Sequence, residues 1–260
     1  MRKITKRTLL GGLAALAVAP HALAARHRAP ARLKPATVMV VASLHKQHLS
    51  DKRYGYDRLY GLVHAFRPDW VGVEIRPEDM SADPAYVGTW YPLEMRELKD
   101  EYPGRVFGFD WFGDDLTGRP IPADWRDSNA VKQMERDSDN APELKTPAKL
   151  KIKTRLDAIQ ARQQVLLANT TPRGLNDGRY DALCVDYYNT LRDYVAGTRF
   201  EAMSQFYTAR DAHLAAAVVA FVKGHPGQRI AIVTGADHHG PVVRALREQL
   251  KGKAVLASVA

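Results

Sequence analysis

The chain has 260 residues and a formal charge of +9, from 38 Lys and Arg against 29 Asp and Glu. Cys184 is its single cysteine, which excludes an internal disulfide, so stability has to come from an apolar core. The length suffices for one sizeable domain.

Residues 1–24 read as a cleavable signal peptide. Arg2, Lys3, Lys6 and Arg7 form a positive start, Leu9 to Ala19 an apolar stretch, and Ala22-Leu23-Ala24 a small-residue cleavage signal. The apolar stretch is too short to span a bilayer as a stable helix. Thr5-Lys6-Arg7-Thr8-Leu9-Leu10 has the look of a weakened twin-arginine signal, with lysine as its first basic residue. Export to the periplasm or out of the cell is the expectation, with no membrane span left after cleavage. Removing the four basic residues of this leader leaves a mature chain of charge +5.

A basic, proline-bearing lead-in occupies 25–35, and one α/β domain is expected over 36–260. Thr37 to Val41 is an apolar, β-branched run and reads as a first strand. A polar loop follows from His45 to Asp51, then a helix from Tyr56 to Phe66, with Leu59, Leu62, Val63 and Phe66 on one side. Arg67-Pro68-Asp69 stops it, because the residue before proline resists the helical conformation. Trp70 to Val73 is a second strand ending on Glu74. Leu93 to Glu101 reads as a short helix, and Arg105 to Phe109 as a third strand leading to Asp110. This alternation predicts a mainly parallel sheet with right-handed crossovers.

The pattern then changes. From about 124 to 224 the spacing predicts helices only, a large insertion between the third and fourth strands that reads as a cap over the sheet edge. Lys145, Lys149, Lys151, Lys153 and Arg155 concentrate positive charge there. No aromatic interleaving or nucleic-acid module accompanies them, so they read as a solvated helix face and no nucleic-acid partner is expected. The tyrosines at 180, 187 and 194 recur at helical spacing and read as core rather than a haem site. Arg229 to Thr234 is the fourth strand, Pro241 to Lys251 a helix, and Ala254 to Val259 a fifth strand.

Two strand ends share one plan. Ala42-Ser43-Leu44-His45 and Gly235-Ala236-Asp237-His238 each pass a small residue and deliver a histidine three positions later. In open α/β sheets the residues past the carboxyl ends of strands line the ligand crevice. His45, Glu74 and His238 are therefore expected to meet at one sheet edge. His48 reads either as a solvent-exposed residue or as a second ligand. His239 is expected to diverge from His238 as neighbours beyond a strand do. Asp110 reads as a further ligand, an acceptor behind one, or a helix cap. His213 reads as a helix-surface residue, and Trp111-Phe112-Gly113 as a pocket lining or a cover for the sheet end.

Taken in order, four elements resemble the TraB/TIKI group of metalloprotease-like proteins, within the superfamily of erythromycin esterases and ChaN-like haem-binding lipoproteins. They are the G-x-x-H at Ala42 to His45, with alanine for glycine, and a P-D-x-V-x-V-E block at Pro68 to Glu74. The others are the Arg210-Asp211 pair on a helix and a second G-x-x-H at Gly235 to His238, followed by Gly240. Alanine can replace glycine at 42 only if the backbone there does not need positive φ. The resemblance implies an exported divalent-metal hydrolase of peptide or ester bonds, acting on a peptide or small-molecule substrate. Manganese, cobalt and zinc suit the ligands His45, Glu74 and His238 alike. In the esterase branch the same His45 would be a general base assisted by Glu74, without metal. Arg210 would hold a substrate carboxylate or steady an oxyanion; its other reading is a salt bridge to Glu201 or to a neighbour of Asp211. Two further expectations compete with the hydrolase: a non-catalytic ChaN-like haem or iron binder, and a degenerate member of structural or inhibitory function.

Overall fold

A computed structural model describes residues 34–259. The signal-peptide segment 1–24 and most of the lead-in 25–35 lie outside the described residues. The fold is α/β, with a five-stranded, all-parallel sheet. The strands are β1 (Ala36–Ser43), β2 (Trp70–Val73), β3 (Val106–Gly108), β4 (Arg229–Gly235) and β5 (Ala254–Ala257), in the spatial order β3-β2-β4-β1-β5.

Alternation along the two central strands assigns each side chain to one face of the sheet. Met39, Val41, Ala231 and Val233 point into one core, where they meet Leu59, Val63 and Phe66 of α1 (Tyr56–Phe66) and Met95 and Leu98 of α3 (Leu93–Glu101). Val38, Val40, Ile230 and Ile232 point the other way. There they meet Leu214, Val218 and Val222 of α9 (Glu201–Gly224), and Val242 and Leu246 of α10 (Ala236–Gln249). Each such aliphatic side chain contributes about 1.5–3 kcal/mol on burial, which covers both faces and explains the unbroken apolar strands.

Between β3 and β4 the chain forms α4 (Trp125–Ser128), α5 (Ala130–Ser138), α6 (Pro147–Ala168), α7 (Pro172–Leu175), α8 (Arg179–Val195) and α9. Leu156, Leu191, Tyr194, Phe200 and Met203 give this helical insertion a small core of its own. All of the basic run but Lys145 lies along α6, where Lys149 donates to the carbonyls of Asp193 and Ala196 at the end of α8 and Lys153 pairs with Asp157. No helix among the described residues is long and apolar enough to cross a membrane.

Three local expectations change. The segment after β1 is a short 3-10 helix (His45–Leu49) rather than an irregular loop. Pro84–Trp90 forms α2, with Asp83 accepting the Ala85 N–H and proline in the first turn; only Val87 is buried, so it carries no apolar stripe to betray it. The last helix starts at Ala236, directly on the end of β4, and carries Pro241 inside it. Arg67 does end α1, but through the left-handed region, with φ 49° and its N–H on the His64 carbonyl.

Candidate active site at the carboxyl edge of the sheet

Register brings three strand ends together. Ser43 pairs with Gly235, and Val73 with Val233, so the residues that follow β1, β2 and β4 leave the sheet at one edge. Glu74 follows β2, its carboxylate reaches over the end of the central strand β4, and it is buried. Its Oε1 accepts the Thr234 hydroxyl at 2.9 Å and its Oε2 accepts the Gly235 N–H at 2.8 Å. His45 Nε2 stands 3.8 Å from Oε2, and His238 Nε2 stands 4.0 Å from Oε1. One carboxylate thus faces an imidazole on each of its oxygens, as the strand-end plan predicts.

Each imidazole is backed by a second carboxylate. His45 Nδ1 lies 2.7 Å from Glu94 Oε1, which also accepts the Ser43 hydroxyl at 2.6 Å. His238 Nδ1 lies 2.6 Å from Asp211 Oδ1. Ionised carboxylates only accept, so both Nδ1 atoms carry hydrogen and both Nε2 atoms turn toward Glu74. His45 adopts φ +51°, a conformation uncommon outside glycine and tolerated here because Ser43 Oγ accepts its N–H and Glu94 holds its ring.

The charges are interdependent. Burial alone would lower the His45 pKa, but the Glu94 hydrogen bond and the charge on Glu74 outweigh it and raise the group. Burial and Arg210 both pull His238 down, and Asp211 and Glu74 reverse that, again to a raised value. Burial works against ionisation of Glu74, yet His238, His45 and Arg210 keep it below the usual carboxylate range. Glu94 is likewise held low against its burial by His45 and Ser43.

Arg210 comes from α9 and donates from Nε and Nη2 to Asp110 Oδ1, at 3.1 and 2.8 Å. Its partner is neither Glu201 nor a neighbour of Asp211, but the carboxylate that follows β3. Asp110 also accepts the Trp111 N–H at 2.7 Å. Burial raises the Asp110 carboxyl against the opposing pull of Arg210, whose own pKa rises because Asp110 and Glu74 outweigh its desolvation. The pair is thus a structural part of the same edge, and Arg210 faces both imidazoles and Glu74 electrostatically.

His48 is neither solvent-exposed nor a ligand. It is buried, accepts the Leu44 N–H at Nε2 and lies 2.5 Å from the Tyr54 carbonyl through Nδ1, so both ring nitrogens are occupied in holding the turn that presents His45. His239 does diverge from His238, but on a helix rather than past a strand, and its Nδ1 meets Asp181 at 2.9 Å. Tyr180 and Tyr194 are buried as core residues, Tyr180 donating to Asp237. Exposed His213 stacks on Trp111 at 4.3 Å. Ala42 sits in extended β1 with its N–H on Asn176 Oδ1, so positive φ is not needed there.

Glu94 went unread in the sequence, although its signal was there. A carboxylate sharing the buried stripe of a short helix with Leu98, four residues on, needs a buried partner. Its Oε2 is buried with no partner among the described residues.

The donor chemistry suits a divalent cation. Both imidazoles have a free Nε2 and a carboxylate on Nδ1, the arrangement that fixes metal-binding histidines. Setting aside the Asp110–Arg210 pair, Glu74, Glu94 and Asp211 leave a strongly negative centre whenever both imidazoles are neutral. The spacing is wider than a closed site. Ligands about 2 Å from a tetrahedral ion lie roughly 3.4 Å apart, against the 3.8 and 4.0 Å between the imidazoles and Glu74. No group of three His, Cys, Asp or Glu among the described residues is drawn tightly enough to hold an ion as it stands. The residues fit in kind and charge, and each imidazole–carboxylate distance exceeds the ligand spacing by about half an ångström. Compared with known proteins, the chain matches no family model, no curated sequence and no solved structure.

Proposed function

We propose that this chain is an exported, TraB/TIKI-like hydrolase of a peptide or ester bond, dependent on a divalent cation, with its centre at Glu74 between His45 and His238. The observation that carries the reading is the pair of imidazoles aimed at opposite oxygens of one buried carboxylate, each with its own carboxylate behind it. Manganese, cobalt or zinc would be held by His45, Glu74 and His238. The chemistry such an ion supplies when bound is a lowered pKa for water and polarisation of a carbonyl.

The chain's own residues do the rest. Glu94 and Asp211 fix the tautomers, so both Nε2 lone pairs face the reacting space. His45, half-buried, would give its one free Nε2 lone pair to the ion; in the metal-free, esterase-like alternative the same lone pair would instead take a proton from the attacking water and return it to the leaving group, so the two roles exclude each other. The Thr234 hydroxyl and Gly235 N–H hold Glu74 in one orientation. Arg210, anchored on Asp110, lends positive charge to the oxyanion that forms when water adds to the carbonyl.

The test is hydrolysis of a panel of chromogenic esters and peptides after chelation and re-addition of manganese, cobalt or zinc. Activity should vanish with chelator, return with at least one ion, and fall roughly a hundredfold or more in Glu74→Gln. Purified protein with a haem absorption band and no hydrolysis would instead establish the non-catalytic haem binder.

A further inference from the structure

Arg210 also lines a cleft of about 490 Å³, within the range of small-molecule sites. Its walls are aromatic and its rim is basic. Phe112 and Trp125 stack at 5.0 Å, with their planes inclined by 20°, and Phe206 and Tyr207 line it as well. Arg126 and Arg136 also line it, and neither forms an ion pair with a described carboxylate. Arg136 donates to the backbone carbonyls of Arg126 and Asp127 at 3.0 and 2.9 Å, and Arg126 donates to the Thr89 carbonyl at 3.5 Å with its guanidinium 5.6 Å over the Trp90 ring. Lys132 is neutralised by Glu135, and Asp127 is the one carboxylate on the lining.

We infer that this cleft binds an organic anion, a carboxylate joined to a flat apolar body, and so selects substrates bearing such a group next to the scissile bond. The ring packs on Phe112 and Trp125, and the carboxylate is drawn by Arg126 and Arg136, whose guanidiniums favour paired hydrogen bonds to carboxylate oxygens. Arg210 forms the wall shared with the Glu74 centre: it lies 5.6 Å above the Phe112 ring while donating to Asp110. The word substrate rests on the hydrolase reading above; the binding itself does not.

Titration calorimetry on the full chain separates the two, with 3-phenylpropionate and its uncharged amide as probes. The carboxylate should bind saturably at one site, roughly tenfold or more tighter than the amide, and more weakly as salt rises. Arg126→Gln and Arg136→Gln should each weaken the carboxylate several-fold and leave the amide unchanged, while Arg136→Lys retains part of the preference. His238→Ala should bind the carboxylate as the unaltered chain does, so a failed hydrolase reading leaves this one standing. Equal binding of acid and amide, unaltered preference in the double Arg126→Gln, Arg136→Gln variant, or no saturable binding of the acid would each overturn the inference.

Discussion

Gly235 and His45 approach so closely that a Cβ at position 235 would lie 2.6 Å from His45 Nε2 and 3.3 Å from Glu74 Oε2. The glycine is therefore required by the neighbouring ring and not by its own backbone, whose φ is −54°. The absent side chain is what allows an imidazole to stand over the end of β4.

Gly235→Ala should therefore spare the fold and damage the site. Overpacking of this kind costs about 1–3 kcal/mol, so a urea titration should show a modest loss with an unaltered slope. Hydrolysis should fall tenfold or more, because His45 has to leave its place beside Glu74. Unchanged activity would mean that the ring is free to sit elsewhere.

The carboxylates behind the imidazoles should matter less than the imidazoles themselves. Asp211→Asn and Glu94→Gln keep shape but remove the charge that orients Nδ1–H, and losses of roughly 10–100-fold in cation affinity are expected. His45→Ala and His238→Ala should lose more, in both cation content and activity.

His48 gives a pH signature. Burial lowers its pKa below the ordinary histidine value, with the Tyr54 carbonyl opposing. A depressed histidine contributes stability that is complete above its unfolded pKa and fades as pH falls through that value toward the folded one. The stability advantage of the unaltered chain over His48→Gln should therefore be larger at pH 8 than at pH 5, by thermal or urea unfolding at each pH. His45 and His238, with raised values, act in the opposite sense, but they are present in both proteins and drop out of the difference. An advantage independent of pH would show that His48 is not held neutral.

Arg76 is only 1 % exposed, yet its guanidinium is fully engaged, donating to Asp79 at 2.7 Å and to the Leu116 and Arg119 carbonyls at 2.9 Å. It ties the segment after β2 to the loop that follows β3, beside the site. Arg76→Met leaves Asp79 buried with only Tyr91 for a partner, and a loss of roughly 3–5 kcal/mol is expected in chemical denaturation. A change below 1 kcal/mol would mean that the network reorganises around the gap.

The strands were legible because β-branched runs on both faces of a parallel sheet leave no ambiguity of period, and Trp70–Val73 shows its bounds in the sequence itself. The convergence of His45, Glu74 and His238 was legible for a related reason, since strand ends in such sheets meet at one edge. What escaped was set by distant contacts. Glu94 pairs across 49 residues and Arg210 across 100, and no local pattern encodes such partners. His48 was misjudged because its role is to satisfy backbone groups at Leu44 and Tyr54, which the sequence does not display.

The most direct test of the Glu74 centre is equilibrium dialysis of the purified chain against manganese, cobalt and zinc, with elemental analysis of the retained ion. The account predicts one divalent ion per chain, weaker retention as pH falls through the imidazole range, loss in Glu74→Gln and His238→Ala, and retention in His48→Gln. A chain that holds no ion, or a Glu74→Gln variant that holds it as well as the unaltered protein, would contradict it.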